Sequence, residues 1–246
     1  MHDNQLIAAL PRTERARLLA LCQPVQLGLA QVLCPVGQLT RHVYFPTGSF
    51  VSLITQLDAR HGLEVGMVGN EGMLGVHLLL GQRREPLQAL VQGAGSALRL
   101  DVPQLRRELA RSPALLPLLL TYVSVLMDQR AVSAACLRFH EIGPRLSRWL
   151  LMSQDRAHAS EFPVTQEFLA AMLGVRRVGV TAAAGGLQKR GLIRYHRGRL
   201  TVLDRPGLEH ASCSCYAQDL LVYARTMRPR MAAARTAPLA LPAPVA

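Results

Sequence analysis

The 246-residue chain, 26.9 kDa, has room for one large domain or two modest ones. Half of its residues are hydrophobic and its mean hydropathy is +0.17, which excludes a disordered chain. Against 16 Asp and Glu stand 28 Lys and Arg, a formal charge of +12 in which Lys189 is the only lysine; that balance favours polyanionic partners.

No cationic leader followed by an apolar stretch and a small-residue cleavage site is visible, so no signal peptide is expected. Leu6, Ala9, Leu10, Leu18, Leu19 and Leu21 fall at helical spacing on either side of Pro11 and predict a short helix over 6–22. From about Val25 to Asp101 short apolar runs are cut by glycine, proline or asparagine every eight to twelve residues: 43–46, 50–55, 63–68, 87–92 and 97–101. Evenly spaced short strands with turn signals predict a β jelly roll. Within it Val68-Gly-Asn-Glu-Gly-Met-Leu-Gly75 carries three glycines, which let the backbone turn sharply or approach a ligand. Tyr44, Phe45 and Trp149 read as core aromatics.

Pro103 suits the first turn of a helix over 103–110. A longer helix is expected from Pro113 to about Phe139, with a seam of Leu116, Leu120, Val123, Met127, Ala131 and Ala134. Two readings of that seam stand side by side, a core-facing stripe and a coiled-coil-like dimer contact. The most apolar run, Ala114 to Met127, falls short of the ~20 residues that span a bilayer, so no membrane association is expected. A further amphipathic helix covers 142–157, and another runs from Tyr216 through Arg225. Beyond Arg228 the Ala-, Pro- and Arg-rich chain reads as a flexible tail.

The most informative stretch is 165–203. Thr165 is placed to cap a helix with Glu167 in its first turn, and Phe168, Leu169, Met172 and Leu173 face inward. Gly174 turns the chain, Val180, Ala183, Ala184 and Leu187 form the buried stripe of a second helix, and Gly191 ends it. Two short apolar strands around His196-Arg-Gly198 then predict a hairpin. Helix, turn, helix and hairpin make a winged helix-turn-helix, whose second helix enters the DNA major groove. Residues 165–210 hold eight basic and three acidic side chains, nearly half of the chain's excess charge.

In this order of parts the chain resembles the cyclic-AMP receptor/fumarate–nitrate regulator (Crp–Fnr) family of bacterial transcription factors over about residues 20–210. Thr165–Leu203 carries the resemblance, with Tyr44-Phe45, Gly48 and Gly69–Gly75 in support. The fold class implied is α+β: a cyclic-nucleotide-binding-like jelly roll (1–112), a dimerisation helix (113–140), a winged helix-turn-helix (141–216), and a helix remnant with a flexible tail (217–246). A cytoplasmic homodimer that binds palindromic double-stranded DNA, with RNA polymerase as a further contact and no catalytic activity, is the function implied. The residues expected at the DNA are Thr165, Gln166, Arg176, Arg177, Val178, Thr181, Ala182, Lys189, Arg197 and Arg199. Arg177 falls where the family's guanine-reading arginine sits. Val178 and Ala182 replace the family's Glu and second Arg, so a different operator is expected, and Arg176 replaces the capping Ser. Close packing against a neighbouring helix is the simplest reason for Gly185-Gly186 in a helix interior.

The effector pocket expected from the resemblance comprises Gly75, Val76, Arg83, Arg84, Leu87, Gln88 and Ala89. The family's cyclic-nucleotide binders use a Gly-Glu pair for the ribose and an Arg-Ser/Thr-Ala run for the phosphate. Gly75-Val76 and Leu87-Gln88-Ala89 lack both charged groups, so cyclic AMP is not the expected effector and the effector is left unassigned.

Five scattered cysteines read as reduced thiols. Cys22 and Cys34 stand alone and do not match the clustered N-terminal cysteines of the family's iron–sulfur sensors. Cys213-Ser-Cys215 beside His210 lacks completing ligands, so no metal is expected there; redox sensing is the alternative. His42, His61 and His77 are too dispersed for a metal oxygenase. A basic module that docks an acidic protein, and a jelly-roll enzyme, are the competing functional classes.

Overall fold

The computed structural model describes residues 3–58 and 62–236; His61 and residues 237–246, the end of the expected tail, lie outside them. Pro11 divides the expected first helix into α1 (Gln5–Ala9) and α2 (Arg12–Leu21). Asn4 caps α1 by accepting from the Leu6 and Ile7 amides, and its Nδ2 donates to the carbonyls of Pro46 and Gly72. One buried amide thus fixes the N-terminus to the strands that follow.

Those strands are β1 (Gln23–Leu27), β2 (Val32–Cys34), β3 (His42–Pro46), β4 (Phe50–Gln56), β5 (Gly62–Val68), β6 (Gln88–Gly93) and β7 (Gly95–Asp101). They form two antiparallel sheets, β1-β7-β3 and β2-β6-β4-β5. Leu27 and Ala97 from the first sheet meet Val51, Leu53, Val68, Ala89 and Val91 from the second in one core. β1 and β2 have no counterpart in the apolar pattern, because in β1 only Leu27 is buried and β2 has three residues.

The glycine-rich 69–75 segment is where the helices press on this roll. A Cβ on Gly72 would collide with the phenol ring of Tyr122, and one on Gly69 would lie 2.7 Å from Arg156 Cγ. Gly75 adopts φ +99° and leads into a 3₁₀ turn, Val76–Leu80. The close approach that these glycines permit is by side chains of this chain.

α3 (Val102–Arg111) has Pro103 in its first turn. α4 (Leu115–Phe139) buries Leu115, Leu118, Leu119, Tyr122, Val125 and Leu126 against α1, α2 and the roll. Of the expected seam, Val123 is buried, whereas Leu116, Leu120, Met127, Ala131 and Ala134 are exposed. The core-facing stripe is therefore a different one, and α4 is apolar on two faces. α4 is also the one unbroken helix among the described residues with the length and hydropathy to cross a bilayer, although part of it is core.

α5 (Ile142–Ala157) follows after a two-residue break. The third sheet, β8-β10-β9, contains β8 (Glu161–Pro163), absent from the sequence reading, and the hairpin β9 (Ile193–His196) and β10 (Arg199–Val202). Between β8 and β9 lie α6 (Gln166–Leu173) and α7 (Arg177–Lys189), and α8 (Arg205–Ala211) comes after the hairpin. This unit shares a core with the roll, where Phe50, Ile54 and Met67 meet Trp149, Leu169 and Met172. Arg156 of α5 reaches Glu71 at 2.9 Å across the same junction.

The helix expected from Tyr216 through Arg225 is present and runs further, to Thr236: α9 (Cys215–Thr236) is a 22-residue helix whose Val222 and Met227 enter the core that α4 forms with α1 and α2. Its apolar stripe has a partner, and that packing outweighs the weak local signal of an Ala- and Arg-rich sequence.

Candidate nucleic-acid interface

Local signals build the frame of this site. The Thr165 hydroxyl caps α6 by accepting from the Phe168 amide at 3.1 Å. Gly174 takes φ +62° and stops α6, and the α6 and α7 axes then differ by 107°, within the range of a helix-turn-helix. Val180, Ala184 and Leu187 anchor α7 in the core. The wing turns on Arg197 and Gly198, both at positive φ, as a two-residue turn between paired strands requires.

That scaffold leaves the expected contact residues of α7 and the wing outside the core. Arg176, Arg177, Val178, Thr181, Ala182, Lys189, Arg197 and Arg199 are all exposed. Arg177, 65% exposed, stands on the first turn of α7 and pairs with Glu167 at 2.8 Å. The half-buried Gln166 accepts from the Thr181 hydroxyl at 2.8 Å, which ties the start of α6 to α7. Thr165, Gln166, Arg177, Arg197 and Gly198 line one cleft of ≈ 320 Å³ between the helix starts and the wing. Arg199 is held to Glu161 at 2.7 Å. Exposed arginines around a helix N-terminus supply both phosphate charge and base-edge donors. Tyr195, unremarked in the sequence, fixes the wing by donating to the Val164 carbonyl.

Arg176 precedes α7 without a side-chain cap, as expected from an arginine where the resemblance places a serine. Packing does not explain the glycine pair, which corrects that expectation: an added Cβ at Gly185 or Gly186 meets nothing within 4 Å.

The expected effector residues divide between the core of the roll and its surface. Gly75 and Val76 open the 3₁₀ turn, and Ala89 is buried in the roll core with Leu87 packed beside it. Gln88 starts β6 on the same segment. Arg84 lies on the surface, donating to the Gly37 carbonyl, and Arg83 lines an outer cleft with Leu39, His42 and Arg107. The polar groups inside this half belong to its frame: His77 meets Thr40 at 2.9 Å and Glu85 at 3.6 Å, with burial holding the Glu85 carboxyl up to about 7.

The completing ligands that the sequence does not show beside Cys213 and Cys215 are supplied by the fold. The fold brings Cys136 and His140 to them, and all four donor atoms lie within 4.8 Å of one another. His210, the sequence neighbour, instead contacts the Pro206 carbonyl. The missed signal was Cys136-x-x-x-His140 on a helix, since residues four apart share a face.

Residues 144–211 match the family model of the Crp-like helix-turn-helix domain. No curated protein matches the chain. Among solved structures, FixK2 from Bradyrhizobium japonicum aligns with a TM-score of 0.64 and 14% identity, covering 78% of this chain and 98% of that one. The c-di-GMP responsive global regulator CLP from Xanthomonas campestris aligns at 0.61 and 18%, covering 77% and 98%. A CRP/FNR-family transcriptional regulator from Thermus thermophilus aligns at 0.60 and 21%, covering 77% and 98%.

Proposed function

We infer that this chain, which carries a Crp-like helix-turn-helix domain on the fold of the CRP/FNR regulators, is a DNA-binding transcription regulator. It acts in the cytoplasm as a homodimer on palindromic double-stranded DNA. The observation that carries the reading is Arg177, presented to solvent at the start of α7 with Arg176, Val178, Thr181 and Ala182 beside it. The guanidinium suits a guanine edge, Val178 and Ala182 suit thymine methyls, and Lys189, Arg197 and Arg199 suit the flanking phosphates.

Dimerisation rests on α4. A helix apolar on two faces needs both covered, and α1, α2, α9 and the roll cover one, leaving the other open to solvent. Leu116, Leu120 and Met127 on the exposed face suit a second copy of α4. A symmetric pair would set two α7 helices about 34–36 Å apart, one turn of DNA. Cyclic AMP is not the effector in this reading: Leu87 and Val76 offer neither a cation for a cyclic phosphate nor a carboxylate for a ribose. A change in the roll reaches α7 through α4 and α5 by shifting how the paired helices pack.

Selection of bound duplexes from a random DNA pool tests the reading, with sedimentation of the complex giving its stoichiometry. The expected result is a two-fold symmetric site with two chains on it. Recovery of no consensus, with tight binding to acidic protein instead, would overturn it in favour of an interaction module.

A further inference from the structure

Three buried thiols and one imidazole converge where the winged domain joins the rest of the molecule. Cys136 lies on the last turn of α4 and His140 caps its end, Cys213 lies between α8 and α9, and Cys215 begins α9. The three cysteines are each at most 6% exposed and form a small cluster apart from the larger cores, with Val132 beside them. Cys136 Sγ lies 3.5 Å from Cys213 Sγ, and Cys215 Sγ lies 3.6 Å from His140 Nδ1.

We propose that Cys136, His140, Cys213 and Cys215 bind one zinc ion in a closed tetrahedral Cys₃His site that fastens the hinge between α4 and the winged domain. A tetrahedron with Zn–S near 2.3 Å and Zn–N near 2.0–2.1 Å has S–S edges of about 3.8 Å and S–N edges of about 3.6 Å. The Cys136–Cys213 and Cys215–His140 separations fall close to these values, and no pair of the four donor atoms is more than 4.8 Å apart. The spacing is too wide for a disulfide, whose sulfurs lie ~2.05 Å apart, and three cysteines leave one unpaired in any case. It is too tight for a multi-iron cluster, because four donors this close enclose room for a single ion. Soft thiolate donors with one imidazole and no open position describe a structural zinc site.

The surroundings fit the charge. Three thiolates, a neutral imidazole and Zn²⁺ carry a net −1. Arg145 and Arg148 line a shared cleft with Cys136. Arg148 is held in place by Ser133 at 2.9 Å and Asp219 at 2.6 Å. Position gives the site its consequence. His140 is the residue on which α4 ends, α5 starts two residues later, and α9 runs back along α4. An ion there fixes the angle at which α7 is presented.

Metal analysis of the full chain, purified under reducing conditions without chelator, is the test. One zinc per chain is expected, retained in Cys22→Ser and Cys34→Ser and lost in Cys136→Ser and Cys213→Ser. Replacement by Co²⁺ should give thiolate-to-cobalt charge-transfer absorption and the visible bands of a tetrahedral ion in the unaltered chain. That readout holds even where a serine variant fails to fold. His140→Ala, at a half-buried position, should weaken zinc retention against a competing chelator while leaving the fold intact. A folded, metal-free chain with freely reacting thiols would overturn the proposal. So would iron with labile sulfide, or a Cys136–Cys213 disulfide in the peptide map.

Discussion

The β-roll and the winged domain place their polar groups in opposite ways. In the roll, Ser52 donates to Glu64 at 2.6 Å and His77 meets Thr40 and Glu85, all inside the frame, and Gly72 leaves no space beside Tyr122. In the winged domain the core is Leu169, Val180, Leu187 and Leu200, and the arginines of α7 and the wing stand outside it. Polar changes in the roll therefore act on folding. Polar changes on the winged face act on recognition and leave the fold in place.

Gly72→Ala should show the roll's intolerance most strongly. The new Cβ meets the ring of a buried tyrosine that has no room to turn, and overpacking of this kind costs about 1–3 kcal/mol or more. A drop of that size in denaturant-unfolding stability is expected. Adding Tyr122→Phe should return part of it, because the hydroxyl is the group in closest conflict. Unchanged stability would show the junction to be loose.

Arg177→Ala should produce the converse. Its ion pair with Glu167 is exposed at both ends, so folding stability should hold. Discrimination at one operator base pair should fall by about 1–3 kcal/mol, read as competition between matched and single-mismatch duplexes, while affinity for unrelated DNA stays close to the parent's. A uniform loss across all sequences would make Arg177 a phosphate contact.

The same contrast explains what the amino-acid pattern disclosed. Five of the seven roll strands follow from apolar runs between turn residues, and α5 matches its expected span of 142–157. Thr165, Gly174 and Arg197-Gly198 each perform a local task that a short window carries. β1, β2 and β8 stay hidden because their few buried residues count only beside a partner strand. The packing of α9 on α4, and the meeting of Cys136 with Cys213, depend on contacts 77 or more residues apart in the chain, which no local pattern encodes.

Glu85 sharpens the comparison through pH. Burial raises its carboxyl from 4.5 to about 7, and its Oε2 has no partner. The folded chain thus keeps a proton that the unfolded chain releases. The associated stability is complete below about pH 4.5 and is lost as pH rises through about 7. Buried His77, shifted downward by desolvation, acts in the opposite sense as acid is added. Glu85→Gln cannot ionise, so relative to the parent it should gain about 2–3 kcal/mol between pH 5 and pH 8. Parallel stability profiles for the two chains would place the charge elsewhere.

Gly186→Ala is the smallest effect and tests the slack on the winged side. Neither Gly185 nor Gly186 adopts a left-handed backbone, and an added Cβ at either meets only open space. Glycine in a helix interior costs about 0.5–1 kcal/mol relative to alanine, chiefly through the freedom of the unfolded chain. The substitution should raise unfolding stability by that amount with no change in preference for an operator. A Gly72→Ala loss beside a Gly186→Ala gain would express the difference between the two halves in one residue type. Reduced operator affinity in the stabilised variant would instead mean that α7 must bend at this pair to follow the groove.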